Sequence, residues 1–525
     1  MQFIEYFDKG AALFPDRVVA QNDEQSLTYD AMKRLTHRIA GSLIAAGLAR
    51  GSAVATYMPN HPLGLACQYG VIRAGLVWLP VNTRNSVHDN IEILRQLDAR
   101  FVFYHSALAD EVALVRQALP GIRGYVCIDR AVGDDAALAD WLGPEGEDAA
   151  GLAAAPAAAP VTADDDVITM PTTSGTTGQP KGVMLTNRVW ESMTANFQIV
   201  MPYDRPPVSI VAAPLTHAAG YLAGTMMSLG CTNVIVAKPD PLLLMEAIQR
   251  HQATTLFLPP TVIYMMLAHP RVRDFDYSSL RYFLYGGAPM SVQKLREATE
   301  VFGPVMFQVY GQTEAPMAAT LLLPRDHAAA LADPALERRL WSAGRAGPLV
   351  QVAIMDDDGV LLGPGRRGEV VCRGGIVMAG YYNNADATAA VSVHGWHHTG
   401  DIGETDADGF VYIVDRKKDM IITGGFNVYP SEVEQVVWTH PAIQDCAVVG
   451  VPDERWGEAV TAVVEVKPGM ALDADELIAL CKDRLGGVKA PKRVEVWPAL
   501  PRSGVGKVLK RDIRQSFWQG CERAI

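Results

Sequence analysis

Helical and strand periods alternate along the first 150 residues, and this alternation restricts the chain to sheets of parallel strands covered by helices. Met32, Leu35, Ile39 and Leu43 share a helical face that stops at Gly47, and Ala53-Val-Ala-Thr-Tyr-Met58 then reads as a strand. A second helix over Leu63 to Arg73 precedes Val77-Trp-Leu-Pro80, and a third with Ile91, Leu94 and Leu97 inward precedes Phe101-Val-Phe-Tyr104. Helices of this length between strands imply parallel pairing through right-handed crossovers. At roughly 150 residues per domain, 525 residues predict three or four folded units.

The texture changes twice. Residues 149 to 166 form an Ala/Pro tract ending in three acids, which has no apolar period and reads as a surface connection. Alternation resumes through about residue 340, and Val352 to Val414 then breaks into short β-like runs such as Gly368-Glu-Val-Val-Cys-Arg373 and Gly409-Phe-Val-Tyr-Ile-Val414. After Asp415-Arg416-Lys417-Lys418 comes a compact α+β unit of about 108 residues. There Ser431-x-x-Glu434 reads as a capping box, Asp473-x-x-Glu476 opens another helix, and Ala447 to Val451 and Val460 to Val466 read as strands. The predicted class is α/β: a large N-terminal domain of layered α/β subdomains, residues 1–415, with a small β-subdomain at about 342–415. A small mobile α+β domain follows at 416–525, with a hinge near Lys418.

Charge limits the partners. Lys and Arg number 46 against 58 Asp and Glu, so 46 − 58 = −12 and no global positive field attracts nucleic acid or anionic lipid. Any polyanion must be held by local groups. The seven cysteines are scattered without a C-x-x-C pair, which fits a reduced, cytoplasmic compartment. The N-terminal Met1-Gln-Phe-Ile-Glu-Tyr-Phe-Asp lacks the basic and apolar regions of a secretory signal. Pro206 to Ala237 carries no Asp, Glu, Lys or Arg, yet Pro214, Thr216, His217 and glycines interrupt it, so it reads as buried core rather than a membrane span.

The strongest chemical signal is Thr172-Thr-Ser-Gly-Thr-Thr-Gly-Gln-Pro-Lys-Gly-Val183, between the strand-like Asp166 to Met170 and a helix expected over Val183 to Asn196. Its hydroxyls, its glycines and Lys181 make a donor-rich turn able to wrap phosphate oxygens. Pro180 before Lys181 and Gly182 after it exclude the Walker A pattern. A solvated linker is the plain alternative, and the strand-to-helix placement argues against it.

These residues resemble the adenylate-forming superfamily of acyl-CoA synthetases, peptide-synthetase adenylation domains and luciferases. The resemblance continues in order through Pro214-Leu-Thr-His217, Tyr285-Gly-Gly-Ala-Pro289, Tyr310-Gly-Gln-Thr-Glu-Ala315, Thr399-Gly-Asp401, Asp415-Arg416, Gly424-Gly425 and Pro501-Arg-Ser-Gly-Val-Gly-Lys507. It implies that Thr173, Ser174, Gly175, Thr176, Thr177, Gly178 and Lys181 hold the phosphates of ATP. It further implies that Gly287, Ala288, Pro289, Gln308, Val309, Tyr310 and Gly311 border the adenine. Thr313 is then expected on the α-phosphate, with Glu314 and Thr177 on Mg²⁺, a hard cation that prefers oxygen ligands. Asp401 is suited to a ribose diol, with Arg416 beside it. His394, His397 and His398 have no further His or Cys nearby to complete a metal set, and solvated histidines are the expectation.

The family resemblance assigns Lys507 as the adenylation lysine, Lys418 as the hinge, and Gly424 and Gly425 as the lining of a coenzyme A tunnel. Lys510 and Arg511 behind Lys507 otherwise read as part of an exposed basic tail. His217 would gate an acyl pocket walled by His217, Ala219, Ala223, Leu284, Gly286 and Val309, which offers no cation for a second carboxylate. The implied catalytic set is Lys507, Thr177, Glu314 and His217. The implied activity is an acyl-CoA synthetase acting on a medium-chain, alicyclic or aromatic carboxylic acid with ATP, Mg²⁺ and coenzyme A. The alternatives are a stand-alone enzyme loading a carrier protein, a luciferase-like oxygenase and, from another class, a non-catalytic nucleotide- or acyl-binding protein. Assembly is open, although a homodimer is common among relatives.

Overall fold

The predicted alternation of elements resolves, in a computed structural model, into two large sheets followed by smaller ones. Residues 1–144, 163–173, 180–502 and 508–519 are described. Most of the Ala/Pro tract, the turn residues 174–179 and the tip residues 503–507 therefore lie outside the described residues. Contacts divide the chain into two units: Met1–Val352 with Cys372–His397 and Gly409–Val411, and Ala353–Val371 with His398–Asp408 and Tyr412–Ile525.

The first unit holds an eight-stranded and a nine-stranded sheet. In the eight-stranded sheet Val77–Pro80, Ala53–Tyr57, Ala99–Tyr104 and Gly124–Cys127 pair in parallel, as the helix spacing requires. Helices Pro62–Arg73 and Val87–Gln96 lie between successive strands in sequence and Tyr29–Ala45 precedes the first of them, with Met32, Ile39 and Leu43 fully buried. The nine-stranded sheet runs Arg345–Ala346, Ala315–Leu322, Met306–Gln312, Tyr282–Gly286, Thr255–Leu258, Val208–Val211, Thr232–Ile235, Val18–Gln21 and Ser26–Thr28. Pro206 to Ala237 supplies two of these buried strands and the helix Ala218–Thr225. No described helix is long and apolar enough to cross a membrane, and the six described cysteines are buried free thiols.

One expected helix begins late. Lys181–Thr186 is a strand, antiparallel to Val167–Thr169 and Thr172–Thr173, and the helix runs from Asn187 to Val200. Val183 and Leu185 are buried on the strand, and the Thr186 side chain accepts from the Val189 amide to cap the helix. The apolar residues at 183 and 185 serve a period of two rather than 3.6.

In the second unit Gly457–Val466 pairs with Ile443–Asp453, Ile421–Thr423 and Arg493–Val496. Asp473 caps the helix Ala474–Lys489 as expected, accepting from the Asp475 and Glu476 amides. Ser431 does not cap its helix. Pro430, with φ preset and no N–H to satisfy, takes the first helical position of Pro430–Val437, so Tyr429 is the N-cap. The Ser431 amide is satisfied by Asp415 Oδ2 at 2.7 Å and its hydroxyl by the Val414 carbonyl. Glu434, freed from a capping role, accepts from the Val448 amide at 2.7 Å and pairs with Lys510 at 2.8 Å. Lys510 is thus no tail residue: it anchors the helix Lys510–Trp518 against Pro430–Val437.

Removing one partner of a buried ion pair strands the other charge, at about 3–5 kcal/mol. Lys510→Ala should therefore lower the stability of the second unit by that order in chemical denaturation. A loss under about 1 kcal/mol would show that Glu434 is adequately solvated without it.

Candidate active site

The nine-stranded sheet carries its polar residues where its parallel strands end. Val208–Val211, Tyr282–Gly286 and Met306–Gln312 all run in one direction, and Pro214 to His217, Gly287 to Pro289 and Thr313-Glu314 follow their carboxyl ends. Ligands of open α/β sheets bind at this edge, because loops there converge on one crevice. The pairing puts Tyr285 beside Gln308 and Gly286 beside Val309, so the residues expected around the adenine are neighbours. Gly286 is required by that closeness: a Cβ there would lie 2.5 Å from the Val309 carbonyl oxygen. Gly287, at φ +78°, turns the chain into the exposed Ala288 and Pro289.

Ala219, Leu284 and Val309 belong to one core cluster with Phe257 and Leu222. Alternation along the strand puts Gly286 on the face of Leu284, while Phe283 and Tyr285 face the opposite core. The expected acyl wall thus shares one sheet face beneath the helix Ala218–Thr225, on which Ala223 is also fully buried. His217 is the N-cap of this helix, and its Nδ1 lies 2.8 Å from Thr216 Oγ1. Crowding by protein atoms, then Arg84, holds its imidazole below the ordinary histidine range although one edge is open to solvent. A cavity of about 130 Å³ borders Thr216, lined by Asn60, Gln68, Trp78 and Arg84.

Glu314 lies in the two-residue turn between the antiparallel strands Met306–Gln312 and Ala315–Leu322. The turn is tightly built. A Cβ on Gly311 would meet the Ala315 carbonyl oxygen and the Met317 amide at 2.6 Å, and Met317 itself takes φ 59° inside a strand. Glu314 is buried, and its Oε1 accepts from the Tyr381 hydroxyl at 2.6 Å. Burial, and then the Glu314 charge and this hydrogen bond, push the Tyr381 phenol far above its usual value, so it stays a donor. Lys181 Nζ stands 4.8 Å from the centre of the same ring. Thr173 pairs with Lys181, on either side of the residues expected to hold phosphate. Ser174, Gly175, Thr176, Thr177 and Gly178 are outside the described residues.

Asp401, Arg416, Lys418, Gly424 and Gly425 fall in the second unit. Arg416 Nε lies 2.8 Å from Asp401 Oδ1, and the Asp401 amide donates to Thr399 Oγ1. Glu369, absent from the sequence reading, organises this strand: it accepts from the Gly400 amide at 3.0 Å, meets His398 Nδ1 at 3.0 Å and Lys417 Nζ at 3.2 Å. Burial opposes its charge, but these donors prevail and keep its carboxyl below the usual range. His397, only 3% exposed, and the Glu369-bound His398 are therefore not the solvated side chains expected. Lys418 sits with its side chain exposed in the single turn Lys417–Asp419. Gly424 and Gly425, at φ 56° and 83°, form the two-residue turn joining Ile421–Thr423 to Phe426–Val428, and a Cβ on Gly424 would press Trp456 at 2.9 Å. These glycines have a structural reason independent of any ligand. Lys507 is outside the described residues.

Sequence reasoning gave Tyr285 no role beyond its place in a motif, and it missed His327. The Tyr285 hydroxyl lies 2.9 Å from Gln308 Oε1 and 2.8 Å from His327 Nε2, and His327 Nδ1 is 3.0 Å from the Leu323 carbonyl oxygen. Gln308, expected beside the adenine, is thereby braced by the buried Tyr285.

Among the described residues, the carboxyl edge of the nine-stranded sheet thus carries a buried carboxylate, Glu314, and the exposed turn Gly287 to Pro289. The AMP-binding enzyme model matches residues 7–382, and the AMP-binding enzyme C-terminal domain model matches 432–507. The chain belongs to the AMP-binding enzyme family. It is 41% identical over 368 residues to the medium/long-chain-fatty-acid–CoA ligase FadD8 of Mycobacterium tuberculosis, covering 69% of this chain but only 63% of that relative's length. It is 36% identical to a feruloyl-CoA synthase of an Amycolatopsis species, covering 97% of both chains. Among solved structures, the amide bond synthetase McbA from Marinactinospora thermotolerans superposes with a TM-score of 0.86 at 29% identity, covering 98% of this chain and 100% of that one.

Burial holds the His327 pKa down at about 4 from an ordinary 6.5. The unfolded chain therefore binds a proton that the folded chain refuses between those values, so stability is full above pH 6.5 and falls as pH drops toward 4. The loss is up to about 3 kcal/mol. His327→Gln should flatten this part of the stability–pH curve. Equal slopes in both proteins would mean that His327 accepts its proton without unfolding.

Proposed function

We propose that the protein is an ATP-dependent acyl-CoA synthetase, an AMP-forming acid–thiol ligase, acting on a medium-chain, alicyclic or aromatic monocarboxylic acid. The observation that carries the reading is the buried Glu314, held by Tyr381 beside Lys181 at the carboxyl edge of the nine-stranded sheet. Relatives named for fatty-acyl and feruloyl substrates support the thioester chemistry and an apolar or aromatic acid. Ala219, Leu284 and Val309 supply apolar surface for such an acid.

Two substitutions compose the reaction. A carboxylate oxygen attacks the α-phosphorus of ATP, the bond to the bridging oxygen breaks, and pyrophosphate leaves. The coenzyme A thiol then attacks the acyl carbon, the bond to AMP breaks, and the thiol proton passes to solvent. Positioning and charge stabilisation carry both steps, so no protein nucleophile is required. Lys181 with Thr173, Ser174, Gly175, Thr176, Thr177 and Gly178 binds the phosphates, while Thr313 takes the α-phosphate. Gly287 to Pro289, Gln308 to Gly311, Asp401 and Arg416 take the nucleoside. His217, neutral at pH 7, bounds the acyl group.

The donor chemistry fits Mg²⁺. Glu314 supplies one buried hard oxygen ligand, and among the described residues no cluster of three acidic, His or Cys side chains competes for a dedicated protein cage. Glu314 with Thr177 would hold it, and it would supply neutralisation of the phosphate charge. Lys507 is proposed to add charge at the α-phosphate from a mobile domain of residues 416–525 pivoting at Lys418. That domain then brings Gly424 and Gly425 to the pantetheine arm. We further propose a cytoplasmic location, consistent with the buried free thiols among the described residues, and a homodimeric assembly.

A panel of carboxylic acids read by pyrophosphate release, with and without coenzyme A, tests the reading. Release should require an acid, and AMP should turn over rapidly only with coenzyme A. AMP turnover that needs a carrier protein instead would favour the carrier-loading alternative, and absence of pyrophosphate across the panel would favour a non-catalytic binder. Lys507→Ala should cut acid-dependent ATP–pyrophosphate exchange by about 10²–10³-fold, the usual effect of losing one charge-stabilising donor. Unaltered exchange would remove Lys507 from adenylation.

A further inference from the structure

We propose that Tyr381 is the positioning residue of the phosphate site: its hydroxyl orients the Glu314 carboxylate for a cation while its ring seats Lys181. The proposal rests on the synthetase reading and adds a residue to its site.

Tyr381 is itself held rigidly. The two-residue strand Gly380–Tyr381 pairs antiparallel with Lys181–Thr186, setting Tyr381 opposite Val183 and Gly380 opposite Met184. The Tyr381 amide donates to Thr388 Oγ1 at 2.9 Å, and its carbonyl oxygen accepts from the Asn384 amide at 3.2 Å. Asn384 in turn caps the helix Ala385–Val391. The ring is buried, with 7% of the residue exposed.

From this anchorage the hydroxyl reaches Glu314 Oε1 at 2.6 Å, a short charge-assisted bond. Three residues earlier the Met378 amide donates to the Glu314 carbonyl oxygen at 2.8 Å, so one segment clamps both the backbone and the side chain of Glu314. The hydrogen bond occupies Oε1. Among the described residues no donor is bonded to Oε2, which leaves a ligand oxygen of fixed direction. Lys181, 4.8 Å from the ring centre, stands on the strand that Tyr381 pairs with. Cation–π attraction holds the ammonium near the carboxylate without forming an ion pair that would consume both charges. A polyphosphate and its cation need those charges separate and available. The same phenol therefore serves both groups, and its two functions come apart chemically: phenylalanine keeps the ring and loses the donor, while leucine loses both.

The test uses the full-length protein with Mn²⁺ as the probe, measured by electron paramagnetic resonance in the presence of a non-hydrolysable ATP analogue. Binding of the analogue without metal, in EDTA, is measured in parallel. Tyr381→Phe should weaken Mn²⁺ binding by about tenfold or more, because a hydrogen bond to a charged group is lost. Metal-free nucleotide binding should stay within about twofold. Tyr381→Leu should weaken both. In a Glu314→Gln background, Tyr381→Phe should have no further effect on Mn²⁺. Mn²⁺ binding by Tyr381→Phe within about twofold of wild type, or equal losses of metal and metal-free nucleotide, would overturn the positioning role. Wild-type protein that binds neither nucleotide nor Mn²⁺ would overturn the synthetase reading itself.

Discussion

A carboxylate held out of water at the end of a parallel sheet is the constraint around which the first unit is organised. An ionised carboxylate is costly to bury unless hydrogen-bonded, and Glu314 meets that condition through Tyr381. The requirement explains local features that otherwise look unrelated. Gly311 is small because the returning strand passes within 2.6 Å of where its Cβ would be, and Met317 adopts a left-handed φ where the two strands lose register. The strand Gly380–Tyr381, only two residues long, pairs where it can deliver one phenol. Strain of this kind persists when surrounding structure over-determines it, and the hairpin's neighbours in a nine-stranded sheet do so.

The second unit solves a parallel problem with different means. Here Glu369 gathers the Gly400 amide, His398 and Lys417, and the strand it braces presents Asp401 to Arg416. Glu434 and Lys510 do the equivalent for the helices of this unit. Ser431 and Asp415 fasten the strand end Val411–Arg416 to the helix Pro430–Val437. In the second unit the residues proposed to touch nucleotide are thus held by acids, whereas in the first Gln308 is held by Tyr285 and Lys181 rests against the Tyr381 ring.

Much of this was legible in the sequence, for reasons that differ by feature. Parallel strands were readable because apolar period, helix length and crossover handedness leave few alternatives, and the motifs from Thr172 to Lys507 marked the family because each lies within a short window. The helix expected at Val183 was misplaced because Val183 and Leu185 satisfy either period over so short a run, and pairing with Val167–Thr169 decided for a strand. Ser431 and Glu434 have capping-box spacing, but the neighbouring Pro430 shifts the helix start by two residues. Lys510 resembled tail charge because its partner lies 76 residues away. Tyr381 escaped for the same reason: it sits 67 residues from Glu314, in a strand too short to show a period. Partnerships across such distances are decided by topology, and local patterning carries no trace of them.

In the function we propose, the chain joins a carboxylate to the α-phosphorus of ATP before any thiol takes part. Transfer of isotope from acid to nucleotide reads that bond formation directly. With a carboxylic acid labelled with ¹⁸O in both oxygens, ATP, magnesium and coenzyme A, mass spectrometry of the released AMP should find one labelled oxygen in its phosphate. Turnover to acyl-CoA with unlabelled AMP would mean that the carboxylate never attacked the α-phosphorus, and would contradict the account.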